Sequence, residues 1–112
     1  MFASLISRLR TIREDFLRNS INLSTPHDTL RTLYHLCAKQ KTAQAVLCFD
    51  GATRTLMEHG FKSNPRFAWL ITWALSDIDH GGFSRIQGYV HFKEVGGKFL
   101  IVDINPTLFT AE

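Results

Sequence analysis

The chain has 112 residues, which is the length of one domain. Hydrophobic residues make up 45% of it and charged residues 21%, a composition typical of a folded globular protein rather than a disordered or fibrous one. No apolar run approaches the ~18 residues of a membrane-spanning helix. The net charge of +3 is small and the basic residues are scattered, which argues against nucleic acid as a partner. We treat residues 1–112 as a single domain.

The two cysteines, Cys37 and Cys48, are too few for a disulfide scaffold. The five histidines are spread along the chain without the spacing of metal ligands, so we expect no metal and no cofactor. The N-terminal sequence lacks the features of a secretory signal. We therefore predict a cytoplasmic protein with reduced thiols, and delivery into a host cell stays open.

Residues 1–20 are predicted to form an amphipathic helix, because their large apolar side chains recur every three or four positions. This helix can pack on the body of the protein, dock a partner, lie on a membrane surface or act as a targeting peptide. Glu14 and Asp15 argue against a mitochondrial presequence. The apolar stripe consists of Phe2, Leu5, Leu9, Ile12 and Phe16.

A second helix has clear N-terminal signals. Thr25 is a suitable N-cap, Pro26 fits the first helical position, and Asp28 completes a capping box. Its apolar face comprises Leu30, Leu33, Tyr34 and Cys37.

A third helix is predicted over residues 52–59, with a start as early as Leu47 or Cys48. Gly60 is a suitable residue to end it. The segment Lys62–Arg66 is then a loop.

The remainder of the chain favours strands that form an antiparallel meander. Ser76–Gly82 is a turn segment, Gly96-Gly97 is a tight turn, and Pro106 ends the last strand. Helices followed by such a meander predict an α+β fold. The predicted strands are Phe67–Leu75, Phe83–Val95 and Lys98–Asn105.

The register of the last two strands is predicted from their apolar faces. A two-residue turn places these faces on opposite sides of the sheet, whereas a three-residue loop makes them coincide. The second arrangement puts His91 opposite Asp103, with Cβ atoms ~5 Å apart, so that the carboxylate can orient the imidazole. The predicted pairs are Val95–Phe99, Phe92–Val102, Val90–Ile104 and His91–Asp103.

These positions suggest a catalytic unit. If Cys48 begins the third helix, the free backbone N–H groups and the helix dipole lower the pKa of its thiol. Cys48 is then the candidate nucleophile, His91 the base and Asp103 the residue that orients it. Further candidates are Gln44 and Gln87 as oxyanion donors and Asn105 as a replacement for or an aid to Asp103.

Two segments resemble transglutaminase-like cysteine enzymes. One is Cys48-Phe49-Asp50-Gly51-Ala52, followed by Leu56 and by Gly60-Phe61, which is similar to the helix that carries the nucleophile in that family. The other runs from His91 through Gly96-Gly97-Lys98-Phe99 to Asp103 and Asn105-Pro106, and is similar to the family's hairpin. The resemblance covers residues 44–107. It implies a papain-like core, with a nucleophile helix packed on a small antiparallel sheet, and the same roles for Cys48, His91 and Asp103.

Two functions follow as hypotheses. The first is a small cysteine hydrolase, such as a thiol protease, or a deamidase acting on a protein or peptide amide; several bacterial effectors of this family are deamidases. Hydrolysis, deamidation and transamidation pass through the same thioester, so all three stay open. The alternative is a non-catalytic protein-interaction module, a viral or bacterial accessory factor that docks a partner through its N-terminal helix. A Cys48 sulfur within ~4 Å of a His91 nitrogen favours the first hypothesis, and a Cys48 packed in the core favours the second.

Overall fold

The computed structural model describes residues 21–110, so the helix predicted over residues 1–20 lies outside the described residues. Within this range, five α-helices precede a two-stranded antiparallel sheet. The α+β class predicted from the sequence is confirmed. The helices are α1 (Pro26–Ala38), α2 (Thr42–Ala45), α3 (Gly51–Ser63), α4 (Phe67–Ala74) and α5 (Phe83–Ile86), and the strands are β1 (Val90–Val95) and β2 (Lys98–Ile104). Short 3₁₀ turns span Val46–Cys48, Ile78–His80, Gln87–Tyr89 and Pro106–Phe109.

Helix α1 begins where its capping residues predict. The Thr25 hydroxyl accepts a hydrogen bond from the Asp28 backbone N–H at 3.0 Å, and Pro26 occupies the first turn. The buried Thr29 hydroxyl donates to the Phe99 carbonyl at 2.6 Å. This bond fixes α1 against β2.

Helix α3 differs from its prediction at both ends. It begins at Gly51, after an extended Phe49, and not at Leu47 or Cys48. It also continues through Gly60. This glycine lies where α3 approaches α4 closely, and it does not end the helix. A Cβ atom at position 60 would lie 2.8 Å from the Phe67 ring, so a larger residue here would require that ring to shift. The predicted loop is correspondingly shorter and begins at residue 64.

The predicted strand Phe67–Leu75 is wrong, because this segment forms helix α4. Ala68, Ile71 and Ala74 are buried at intervals of three, which is a helical and not a strand spacing. Periodicity cannot separate a strand from a helix in a continuous apolar run.

The first part of the predicted strand Phe83–Val95 is also helical. Helix α5 and a 3₁₀ turn occupy this part, and β1 begins only at Val90. An ion pair between Arg85 and Asp77, at 2.9 Å, closes the turn that precedes α5, and Ile86 anchors the helix in the core.

The hairpin turn is tighter than predicted. Gly96 and Gly97 both have positive φ, +56° and +80°, as in a type I′ two-residue turn. The turn pairs Val95 with Lys98, so the predicted pairing of Val95 with Phe99 is wrong.

A β-bulge then restores the predicted register farther from the turn. Phe92 pairs with Ile101 and not with Val102, whereas His91 pairs with Asp103. Val102 is the extra residue of the bulge, and Val90 pairs with Ile104 as predicted. The bulge reconciles a two-residue turn with coinciding apolar faces.

The core lies between the helices and β2. Phe49 forms a parallel bridge with Ile101, and the Asp50 N–H donates to the Ile101 carbonyl at 3.0 Å. Strand β2 is therefore bordered by β1 on one edge and by this short segment on the other. No helix within residues 21–110 has the length and apolar character to cross a bilayer. The largest fully buried side chains of the described range are Phe49, Leu30, Leu33, Leu36, Ile71, Ile78, Ile86, Ile101, Thr29, Cys37 and Cys48.

Candidate functional site

Cys48 lies in the hydrophobic core. Its exposed fraction is 0%, and it ends the 3₁₀ turn that precedes Phe49. Burial raises the pKa of its thiol, the neighbouring Cys37 raises it further, and Arg54 lowers it by a smaller amount. A raised pKa disfavours the thiolate, which is the form that attacks a carbonyl carbon.

The helix start that was predicted to activate Cys48 lies too far along the chain. Helix α3 begins at Gly51, so Cys48 is outside its first turn and gains nothing from its free N–H groups. The second thiol has a similar environment, since burial raises the pKa of Cys37 to about 12. Both cysteines are free thiols.

His91 and Asp103 face each other across the hairpin, as predicted, and both are exposed. Although they pair in register, no hydrogen bond or ion pair joins their side chains in the described part of the chain. The segment that follows Cys48 runs along the opposite edge of β2. Two strand spacings, ~10 Å, therefore separate the backbone of this segment from β1. Cys48 makes no side-chain hydrogen bond to His91.

The supporting residues are dispersed. Gln44 lies in α2, with a buried Oε1 that has no hydrogen-bond partner among the described residues. Gln87 lies in a 3₁₀ turn and not in the strand predicted for this part of the chain. The Asn105 side chain accepts a hydrogen bond from the Thr107 N–H at 3.0 Å and caps the last 3₁₀ turn. Its oxygen is therefore bonded to the backbone.

A different surface stands out on helix α4. Trp69 is 62% exposed and Trp73 is 44% exposed, while Ala68 and Ile71 on the opposite side of the helix are buried. The two indoles are four residues apart and so lie one above the other. We call this surface the tryptophan face. Because a strand was predicted for this segment, the sequence analysis missed the tryptophan face. The i, i+4 spacing of the two tryptophans was the signal that could have identified it.

Other large apolar side chains are also exposed, but they are aliphatic and belong to different elements. A single exposed leucine such as Leu56 is ordinary in a soluble domain, whereas two adjacent exposed tryptophans are characteristic of binding surfaces. Among residues 21–110, the remaining exposed large apolar residues are Ile21, Leu47 and Val95.

A group of paired charges lies beside α1. The Asp79 carboxylate accepts from Arg31 Nε at 2.7 Å and lies 3.0 Å from His35 Nε2, a contact that is an ion pair when the imidazole is protonated. Desolvation raises the pKa of Asp79, but its contacts with Arg31 and then His35 outweigh this effect and hold the pKa below its usual value. A cavity of about 430 Å³ adjoins the group, where the His27 ring stacks on Phe83 at 4.7 Å. The carboxylate is already paired, so the group ties α1 to the turn after α4.

Residues 21–110 contain no group of three or more His, Cys, Asp or Glu side chains that could hold a metal ion. No protein-family model matches the chain, and no curated protein or solved structure is significantly similar to it. The resemblance to transglutaminase-like enzymes therefore depends on the two motifs alone.

Proposed function

We propose that the chain is a non-catalytic protein-interaction module that binds its partner through the tryptophan face. The observation that carries this proposal is the exposure of Trp69 and Trp73, at 62% and 44%, on the outer side of α4. Tryptophan is enriched among the residues that supply most of the binding energy at protein interfaces. Leaving two indoles in water is unfavourable for a chain that never covers them.

The environment of Cys48 supports a non-catalytic role. A nucleophilic cysteine needs a lowered pKa and access for its substrate, whereas this thiol is 0% exposed and burial raises its pKa. Its packing against the residues of α1 and β2 gives it a structural role as a small apolar side chain.

The geometry of the face favours a helical partner. Two large side chains at i and i+4 form a ridge along α4, and a ridge of this kind fits the groove between side chains of a second helix. The partner expected from this geometry is an amphipathic helix whose apolar side receives the two indoles.

A displayed library of helical peptides, selected on the full chain, tests the proposal. We expect the selected peptides to lose at least tenfold in affinity, about 1.4 kcal/mol, for the Trp69→Ser/Trp73→Ser double variant. Leu56→Ser, which removes an exposed apolar side chain from α3, is the matched control and should leave binding unchanged. Peptides that bind the double variant as tightly as the original chain would contradict the proposal.

A cysteine hydrolase or deamidase with a papain-like core, acting on a protein or peptide amide, is the second candidate. The register pairing of His91 with Asp103 favours it. This function requires Cys48 to become accessible and to approach His91. Loss of an amidase or deamidase activity in both Cys48→Ser and His91→Ala, with the fold intact, would establish it.

A further inference from the structure

We propose that the free edge of β1 binds an extended segment of a partner protein as a third strand, and that this segment presents acidic side chains to Lys93. Within residues 21–110 the sheet contains two strands, and β1 pairs with β2 alone. The edge and the tryptophan face belong to different elements of the fold. The inference therefore goes beyond the proposed function and does not depend on it.

The other edge of the sheet, on β2, is already occupied. The Phe99 N–H donates to the Leu23 carbonyl at 2.8 Å, and the Phe99 carbonyl accepts from the Thr29 hydroxyl at 2.6 Å. The Ile101 carbonyl accepts from the Asp50 N–H at 3.0 Å. The backbone groups of Phe99 and Ile101 therefore point away from β1.

The pairing of the two strands then determines which backbone groups of β1 face outward. Opposite residues of an antiparallel pair either bond to each other or both point away. Glu94 lies opposite Phe99. Phe92 lies opposite Ile101. The N–H and C=O groups of Phe92 and Glu94 consequently point away from β2, and neither residue has a backbone partner elsewhere in the range 21–110.

This edge selects an extended chain as its ligand. Donors and acceptors that recur at every second residue match the backbone of another strand, which is the basis of peptide binding by strand addition. A helix satisfies its own backbone groups and offers no such row. The outward groups of Phe92 and Glu94 therefore favour a partner segment without helical structure.

The side chains of β1 indicate the composition of that segment. His91, Lys93 and Val95 share one face of the strand and are exposed, whereas Phe92 on the other face packs against the core. Lys93 lies opposite Leu100 and forms no ion pair with another described residue. Side chains of an added strand lie ~5 Å from those of β1. An acidic residue beside Lys93 gains an ion pair and an apolar residue beside Phe92 covers its ring, so we expect alternating acidic and apolar residues.

A second copy of the chain is a poorer occupant of this edge. Antiparallel pairing of two β1 strands that uses both Phe92 and Glu94 is centred on residue 92, 93 or 94. The centre at 93 places Lys93 opposite its counterpart, and the centre at 94 does the same for Glu94. The centre at 92 places His91 opposite Lys93, two basic side chains. Like charges directly opposite each other destabilise a sheet, so the charges favour a different chain.

An NMR titration of the isotope-labelled full chain tests the inference. The probe is a capped peptide of about seven residues, the length of one strand, that alternates glutamate and valine. We expect it to shift the amide signals of Phe92 and Glu94 and to slow their hydrogen exchange. A peptide of the same length that alternates lysine and valine is the matched control and should bind several-fold more weakly.

Two substitutions separate backbone pairing from side-chain contact. Glu94→Pro removes the outward N–H and keeps the bonds between β1 and β2, since proline is tolerated on an edge strand where its nitrogen faces solvent. It should weaken binding about tenfold relative to Glu94→Ala, which removes the same carboxylate and keeps the N–H. Lys93→Glu should reverse the preference between the two peptides. Protection of Cys37 and Cys48 from iodoacetamide verifies that each variant is folded.

Three results would overturn the inference. The first is a glutamate–valine peptide that leaves the amides of Phe92 and Glu94 unchanged. The second is equal affinity of this peptide for Glu94→Pro and Glu94→Ala, together with an unchanged preference in Lys93→Glu. The third is protection of the same amides by an increase in protein concentration alone, which would assign the edge to a second copy. The Trp69→Ser/Trp73→Ser variant should bind the peptide as tightly as the original chain, so failure of this test leaves the proposed function unaffected.

Discussion

The segment of residues 46–49 and helix α4 differ in the side chains that they expose to solvent. Cys48 and Phe49 are 0% exposed, and a hydrogen bond from the adjacent Asp50 N–H joins this segment to β2. Helix α4 buries only one side and leaves Trp69 and Trp73 in solvent. The Cys48 thiol is therefore closed to a substrate, whereas the indoles of Trp69 and Trp73 are open to a partner. Solvent access, and not residue type alone, therefore distinguishes these two regions.

The largest expected effect concerns the buried segment. Phe49→Ala should lower the free energy of unfolding by about 3–5 kcal/mol, because it leaves a large cavity beside Ile101. Leu56→Ala is the control, since its side chain is 69% exposed, and should change stability by no more than ~0.5 kcal/mol. Urea unfolding of both variants measures the difference. Equal losses would show that Phe49 is not a core residue.

The second prediction asks whether Cys48 is structural. Cys48→Ser should cost about 1–3 kcal/mol, because it leaves a hydroxyl without a partner in the core. His91→Ala should leave stability within ~0.5 kcal/mol, since that side chain is exposed. Thermal unfolding compares the two variants, and a Cys48→Ser protein as stable as the original chain would contradict the core assignment.

The third prediction is a loss of stability at alkaline pH. The folded-state pKa values of Cys37 and Cys48 lie above the ordinary value of 9.0, so the unfolded chain releases these protons first. The protonated thiols therefore make their full contribution to the free energy of unfolding below pH 9.0. Above pH 9.0 this free energy declines by up to about 1.4 kcal/mol per pH unit for each thiol. Cys48→Ala should reduce this slope in urea unfolding measured across pH 8–11, and an unchanged slope would indicate that Cys48 ionises equally in both states.

The smallest expected effect concerns the ion pairs that tie α1 to the turn after α4. Asp79→Asn should lower stability by about 0.2–1 kcal/mol near neutral pH, as expected for a partly exposed pair. Because the folded-state pKa of Asp79 is lowered, this stabilisation is present above pH 3.8 and is lost as the pH falls through the folded-state pKa. Asp103→Asn, at an exposed position with no ion pair to another residue of the range 21–110, is the control. A deficit that persists at the lowest pH would point to a cause other than charge.

Local signals predicted those parts of the fold that depend on neighbouring residues. The cap formed by Thr25 and Asp28 and the location of the turn at Gly96-Gly97, although not its length, follow from backbone chemistry within a few residues. Helix α4 was missed because its sequence is apolar on both sides, and only tertiary packing decides which side is buried. The two-residue turn and the coincidence of the apolar faces require different registers. The bulge at Val102 satisfies both, and it is formed only in the folded sheet.

The candidate site was predictable only in part for the same reason. The pairing of His91 with Asp103 was predicted from the coincidence of the apolar faces, and the bulge at Val102 preserves it in spite of the shorter turn. The burial of Cys48 follows from a bridge between Phe49 and Ile101, which are far apart in the sequence, and no local pattern encodes such a contact. The sequence motifs therefore identified residue types suited to catalysis, but they did not indicate the long-range contact that buries the Cys48 thiol.

The most direct test of the central claim is the rate at which iodoacetamide alkylates Cys48 in the folded full chain at pH 6. We expect Cys48 to stay unlabelled as long as Cys37 does, and both to react only when the chain unfolds, because both thiols are buried in one core. Rapid labelling of Cys48 alone, abolished in His91→Ala, would contradict the account and identify Cys48 as an activated nucleophile.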